Sequence, residues 1–549
     1  MRLSFVSFLL IAELAVAQAW QAGPQVSTFF SSIDDTDQPY GLYLPRGYDP
    51  ATKYPLVISL HDSYSNHRLN LRRVFGKGNL PGESNAEATR YFPGFPDVPF
   101  IVASPLARGT LGYQGLPEQD VYDVLADVRK RFSIDDDRVY LTGLAMGGGG
   151  ALWLGLTRPD LWAAIAAVCP APTEGTVTLA QNALNIPIHL FHGAADPVVP
   201  VAVSREWRQR LEELGGSVEY TEYPTVRHNS WDNAYRNAAI FAWFGQFKRN
   251  RYPDRVRFVT DRYKYRDAYW IGIDALAPGV SASIDARFTG ANTIDVTAAS
   301  LDAFHLDVAQ HPKYSAQSPL RLSINGKRVA VGRGPLAFAL ANGVWKQGPY
   351  RSAAFEKGPG LEGPVMDALS QHQVYVYGTA GSPSEEELAA RRDLAMRGAE
   401  WGSARQRLLL SFRVISDREL RPADFDAGTV VLFGTRETNS VIADLAPRLP
   451  IALNAGAADY GLVYVYPNGK NYVVINSGLP FWTGVDFIRG LEPRYLPPAF
   501  LLLAKMRDYV LFRGSMEHVI VNGRFDRYWK MPAEDAEKLQ TSGAVAVSR

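Results

Sequence analysis

The stretch Arg138-Val-Tyr-Leu-Thr-Gly143-Leu-Ala145-Met-Gly147-Gly-Gly-Gly150 constrains this chain more than any other. A β-branched and aromatic run meets a turn framed by Gly143 and Gly147, and a small-residue helical pattern follows at once. Such a turn needs close backbone approach on both sides, which glycine allows and a Cβ obstructs. A buried strand turning directly into a helix is a unit of a parallel sheet covered by helices. The surrounding pattern agrees. Apolar strand-like runs at 56–60, 100–104, 139–142, 163–169, 186–191 and 218–223 alternate with helical periodicity at 117–132, 146–156, 201–214 and 231–247. In such sheets ligands bind at the carboxyl ends of the strands.

Three residues map to that edge. Ala145 lies between the two glycines, Asp196 follows the run 186–191 in His192-Gly-Ala-Ala-Asp196-Pro-Val-Val-Pro200, and His228 lies on the loop after 218–223. An acid and a histidine in this order, after a residue on a sharp strand-to-helix turn, form the arrangement of nucleophilic acyl transfer. The nucleophile position, however, carries a methyl group, which has neither lone pair nor proton and forms no acyl intermediate. A natural loss of the nucleophile, an engineered substrate trap and a nucleophile supplied from elsewhere all remain open for Ala145. Thr142 precedes the turn and is expected to point away.

Residues 40–247 resemble α/β-hydrolases of the prolyl-oligopeptidase-like type, close to secreted polyhydroxybutyrate-depolymerase-like and feruloyl-esterase-like enzymes. The motifs that carry the resemblance are Leu44-Pro-Arg-Gly-Tyr48, Tyr54-Pro-Leu-Val-Ile-Ser-Leu-His61, Asp137-Arg-Val-Tyr-Leu-Thr-Gly143, His192-Gly-x-x-Asp196-x-x-Val-Pro200, and His228 with Trp231. The resemblance implies a serine hydrolase acting on a small-molecule ester, a peptide or a polymer. Asp196 would orient His228, and the backbone N–H groups of Met146 and of the Asp62 region would bind the oxyanion. Two departures stand out. Alanine replaces serine at 145, and Asp62 follows His61 where the resembling proteins usually have glycine. Two readings of Asp62 stay open: a solvated loop side chain, or a carboxylate that opposes the developing oxyanion.

The whole chain of 549 residues is long enough for about three domains. Short strands of alternating polarity fill residues 255–331, with Asn325-Gly326 as a tight hairpin turn. Buried-strand patterns return at 374–377, 430–433, 462–466 and 472–475. Residues 357–364 and 430–440 resemble tails of some large bacterial prolyl-oligopeptidase-like proteins, a likeness that implies no chemistry. The expected layout is α/β throughout its catalytic part: a signal peptide at 1–19, an α/β-hydrolase domain at 20–250, a small β-sandwich-like module at 251–348 and a second α/β domain at 349–549. The signal rests on Met1-Arg2, the apolar run 3–16 and the A-x-A pattern at 15–19, and it implies a secreted or periplasmic protein.

A net charge of +1 without a basic block argues against nucleic acid as a partner. No phosphate-binding glycine pattern and no metal-ligand spacing stands out, so neither cofactor nor metal is expected. No later apolar run reaches membrane-spanning length. The single cysteine, Cys169, rules out an internal disulfide and reads as a buried apolar residue. Oligomeric state is open.

Overall fold

The computed structural model describes residues 20–403, 409–485 and 498–548. The expected signal peptide lies outside them.

The first sheet has eight strands in the order Gly23–Ser31, Thr36–Leu44, Ile101–Pro105, Tyr54–Leu60, Ile134–Leu144, Ala164–Val168, Ile188–Gly193, Val218–Tyr223. The first two pair antiparallel and the second pairs antiparallel with the third; the remaining pairs are parallel. Alternate residues of the central strands feed two cores. Leu56, Ile58, Leu60, Val139, Leu141 and Ile165 pack with Val121, Val124, Leu152 and Trp207 of the helices on one face. Val57, Tyr140, Ala164, Ala166 and Val168 pack with Leu71, Val74, Phe241 and Phe244 on the other. Burial on both faces explains why these strands read as continuous apolar runs. This is the α/β-hydrolase fold.

The periodicity at 231–247 predicts one helix, whereas the chain forms Trp231–Ala234, a 3-10 turn Arg236–Ala238 and Ala239–Phe244. The break sits at Asn237 and Ala238, both left-handed, with φ of 53° and 57°. No glycine or proline announces it. Gly76 packs against the break, so closely that a Cβ there would lie 2.6 Å from Tyr235 O and 3.0 Å from Asn237 N. The sequence pattern also gave no sign of the 3-10 segment Thr176–Asn185, which packs on the helix Met146–Thr157.

Two five-stranded sheets follow, spanning Arg255–Thr260 to Val344–Gln347, with their shared core at Phe258, Ile273, Ile284, Val296 and Phe304. The Asn325–Gly326 turn joins strands Arg321–Ile324 and Lys327–Val329 as expected. Of Tyr263, Tyr265, Tyr269 and Trp270 here, all but Tyr269 are buried. A seven-stranded sheet runs through the last part of the chain. Its strands Arg413–Ser416, Gln373–Tyr377, Thr429–Phe433 and Asn471–Gly478 are parallel, and Tyr460–Asn468, Tyr509–Arg513 and Ser515–Gly523 extend it antiparallel.

Buried polar contacts tie the three parts together. The side chain of Asn182 donates to Val259 O and accepts from Val259 N. The Tyr265 hydroxyl donates to Glu118 at 2.6 Å, and the backbone N–H groups of Tyr263 and Lys264 donate to Glu362. Arg108, paired with Asp34 and Asp120, donates to Leu409 O at 2.9 Å.

Candidate active site

Strand Ile134–Leu144 delivers Ala145 to the start of helix Met146–Thr157 with φ 50° and ψ −112°. This backbone is unfavourable for any residue with a Cβ, at about 1–3 kcal/mol. It persists because its surroundings hold it. Ala145 N donates to Val168 O, and Ala145 O accepts from Gly149 N and Ala171 N. Gly147 lies directly against Leu60 O and His61 O, so a side chain there would strike backbone. A strained strand-to-helix turn is therefore held in place around an alanine.

Asp196 and His228 meet as their order in the chain predicts. His228 Nδ1 lies 2.8 Å from Asp196 Oδ2. Asp196 Oδ1 accepts from the backbone N–H groups of Val198 and Val199 at 2.8 and 3.0 Å, which fixes the carboxylate. With Nδ1 donating to the acid, Nε2 is left as the proton acceptor. The acid's side chain is fully shielded, while the histidine's is 21% exposed, so the imidazole forms the solvent-facing end of the pair. The Trp231 ring packs edge-on to His228, centroids 5.4 Å apart. His192, buried beneath, lies 3.4 Å from Asp196 Oδ2, and burial lowers its pKa.

A cavity of about 320 Å³ opens beside Ala145 and is lined by Asp62, Met146, His228, Tyr113, Trp153 and Val199 among others. Four of the five residues singled out for the site, Asp62, Ala145, Met146 and His228, thus line one pocket, and Asp196 lies behind His228, out of its wall. The loop that carries Asp62 is held from below: the His61 ring nitrogens lie 2.7 Å from Asp62 O and 2.8 Å from Leu106 O, and the Tyr113 hydroxyl donates to His61 O.

Asp62 is neither solvated nor a bare charge. Its carboxylate is paired with Arg73 at 3.1 Å, with both side chains under a tenth exposed. Arg73 also reaches Asn79 and Asn85, and its guanidinium lies 5.1 Å above the Trp231 ring. Arg73 comes from the helix His67–Val74, and nothing in the local sequence signals that it belongs to the site.

Cys169 is buried behind Ala145, and its thiol donates to His228 O. Burial pushes the thiol pKa up to about 12, so it is no substitute nucleophile. Contrary to the expectation of no ligand cluster, the Cys169, Asp196 and His228 ligand atoms lie within 4.8 Å of one another. The Asp196 oxygen and His228 nitrogen are already engaged with each other, and the thiol is held protonated, so the arrangement reads as an acid–histidine pair with a neighbouring cysteine.

Residues 120–242 match the phospholipase/carboxylesterase family model. A Neurospora crassa acyl-protein thioesterase 1 is 31% identical over 102 residues, 18% of this chain and 42% of that protein. The chain therefore spans under half the length of that relative. Feruloyl esterase D of Neurospora crassa is 24% identical over 229 residues, 39% of this chain and 74% of that protein. Among solved structures, a thermostable esterase is 27% identical, covering 41% of this chain and 63% of that one, with a TM-score of 0.33. The likenesses of the first domain are to esterase-type hydrolases. No helix among the described residues is long and apolar enough to cross a membrane.

Proposed function

We propose that this chain is a serine-hydrolase-type protein built for carboxylic-ester substrates in which Ala145 stands at the nucleophile position, so that it binds such substrates and turns them over at most at a residual rate. One observation carries the reading: the strained elbow, the acid–histidine pair and an open cavity persist together around a methyl group. Peptides, as in prolyl-oligopeptidase-like proteins, are the alternative substrate class. The ester is preferred because the named likenesses are to esterases and a thioesterase.

In a serine-bearing counterpart the hydroxyl would pass its proton to His228 Nε2 as it attacked the carbonyl. Asp196 would stabilise the imidazolium, and the Met146 N–H with one N–H near Asp62 would take the oxyanion. Loss of the serine in a related triad system costs roughly a millionfold in kcat. What remains here is binding and orientation, plus whatever slow attack His228 elicits from water. A non-catalytic receptor for an extracellular ester or polymer is the second reading, favoured by the open pocket. The apolar N-terminal run supports a secreted or periplasmic setting.

A fluorophosphonate probe tests this. It requires an activated hydroxyl, so the wild-type protein should remain unlabelled and Ala145→Ser should label at the substituted position. Stoichiometric labelling of a serine in the wild type would overturn the reading.

A further inference from the structure

The cavity at Ala145, lined wholly by the first domain, has a neighbour that is not. A second cavity of about 480 Å³ shares Gly112, Tyr113, Gln114, Trp153 and Thr173 with it. Its remaining walls come from all three parts of the chain: Lys264 and Tyr265 from the β-module, and Met366, Phe500, Leu501 and Ala504 from the last domain. The shared wall is itself positioned by the last domain. Gly115, which starts the helix Leu116–Arg131 with φ 71°, faces Met366 and Ser370 so closely that a Cβ would lie 3.0 Å from Ser370 Oγ.

We infer that the two appended domains supply the distal half of the substrate cleft, and that the ligand is an elongated ester whose unbranched apolar chain runs from Ala145 to the helix Pro498–Ala504. This rests on the ester-binding reading of the site. Three observations carry it beyond that reading. First, the two cavities adjoin, with Gly112, Tyr113, Gln114, Trp153 and Thr173 facing both. Second, three of the five charged groups on the distal walls are engaged, Lys264 with Glu118 at 3.2 Å, Asp367 with the Tyr472 hydroxyl at 2.7 Å and Arg262 with Asp261 at 3.7 Å, and the other two, Glu174 and Lys505, are exposed residues. The apolar part of the lining comes from Trp153, the Tyr265 ring, Met366, Phe500 and Leu501. Third, Gln114 Nε2 donates to Thr173 Oγ1 at 2.7 Å, tying two loops across the shared wall. A ligand that reached both cavities would have to cross beside this pair, which suits a thin flexible chain better than a fused ring.

Methyl ketones provide the test, because they carry a carbonyl but no leaving group. Binding of a C6 to C14 alkan-2-one series to the full-length wild-type chain is measured by calorimetry, beside Ala504→Trp and Glu174→Trp. Both substituted residues are exposed and line the distal cavity from opposite domains. In the wild type, affinity should rise by about fourfold per methylene through the long members. Each tryptophan variant should match the wild type for the short ketones and fall tenfold or more behind for the longest. Equal affinities in all three proteins at every length would overturn the inference. No bond is cleaved, so an inactive Ala145→Ser variant leaves this result standing. An active Ala145→Ser variant with equal ketone affinities would refute the distal cleft alone.

Discussion

The Asp62 carboxylate lies 3.1 Å from the Arg73 guanidinium; both are buried, and Asp62 lines the pocket that holds Ala145. The pair cancels a charge that, left alone, would oppose an oxyanion at the Met146 N–H. It also means that Asp62 cannot be removed without exposing its partner's charge. Replacing it with glycine, the residue the resembling hydrolases carry, should destabilise the protein instead of improving the site. Removing one member of a buried pair costs about 3–5 kcal/mol. In denaturant unfolding, Asp62→Gly should lose stability of that order, and Asp62→Asn with Arg73→Gln should recover most of it. An Asp62→Gly variant as stable as the wild type would show that the pair carries no such weight.

Arg108 makes a similar case at the domain junction. It joins Asp34 and Asp120 and reaches Leu409 O across to the last domain, with its own side chain fully shielded. Arg108→Met leaves two carboxylates and a carbonyl facing one another. Limited proteolysis should then cut between the domains at a protease concentration that spares the wild type. An unchanged digestion pattern would count against Arg108 as a junction residue.

Glu362 ties the junction to pH. Burial, with Asp367 nearby, raises its pKa to about 8, while its oxygens accept from Tyr263 N and Lys264 N at 2.6 and 2.8 Å. A folded-state pKa above the unfolded value means that the unfolded chain ionises first as pH rises. The contribution of Glu362 is thus complete below the ordinary glutamate range and is lost progressively up to about pH 8. Melting temperature should fall across that window, and Glu362→Gln should flatten the fall. Identical pH profiles for the two proteins would remove Glu362 from the account.

Cys169 gives a chemical check on the site's interior. With its thiol pKa raised to about 12 and no exposed surface, it should ignore a disulfide reagent at pH 8 in the native protein and react with one equivalent in denaturant. Rapid reaction of the native protein would mean that the space behind Ala145 is open to solvent.

The parts of the site that local chain chemistry builds were legible in the sequence. The glycines at 143 and 147 mark a turn no other residue fits, and the loops carrying Asp196 and His228 follow strands with clear apolar runs. Arg73 was not legible, because it lies on a helix whose only relation to the site is the packing of His67–Val74 against the sheet. The break at Asn237–Ala238 was not legible either: no glycine or proline marks it, and the segment packs against Gly76, far back in the chain. The distal cavity needs three domains to meet, which no stretch of sequence records. Asp62 was visible as an anomaly, but its sense emerged only with its partner.

The central claim is that one missing oxygen separates this chain from an ester hydrolase. The direct measurement is hydrolysis of p-nitrophenyl acetate and butyrate by the wild type, Ala145→Ser, and Ala145→Ser with His228→Ala, each confirmed folded by circular dichroism. The account predicts that Ala145→Ser turns over ester well above both the wild type and the doubly substituted protein. Rates for Ala145→Ser no higher than those of the His228→Ala control would contradict it and leave a pocket that binds without the means to react.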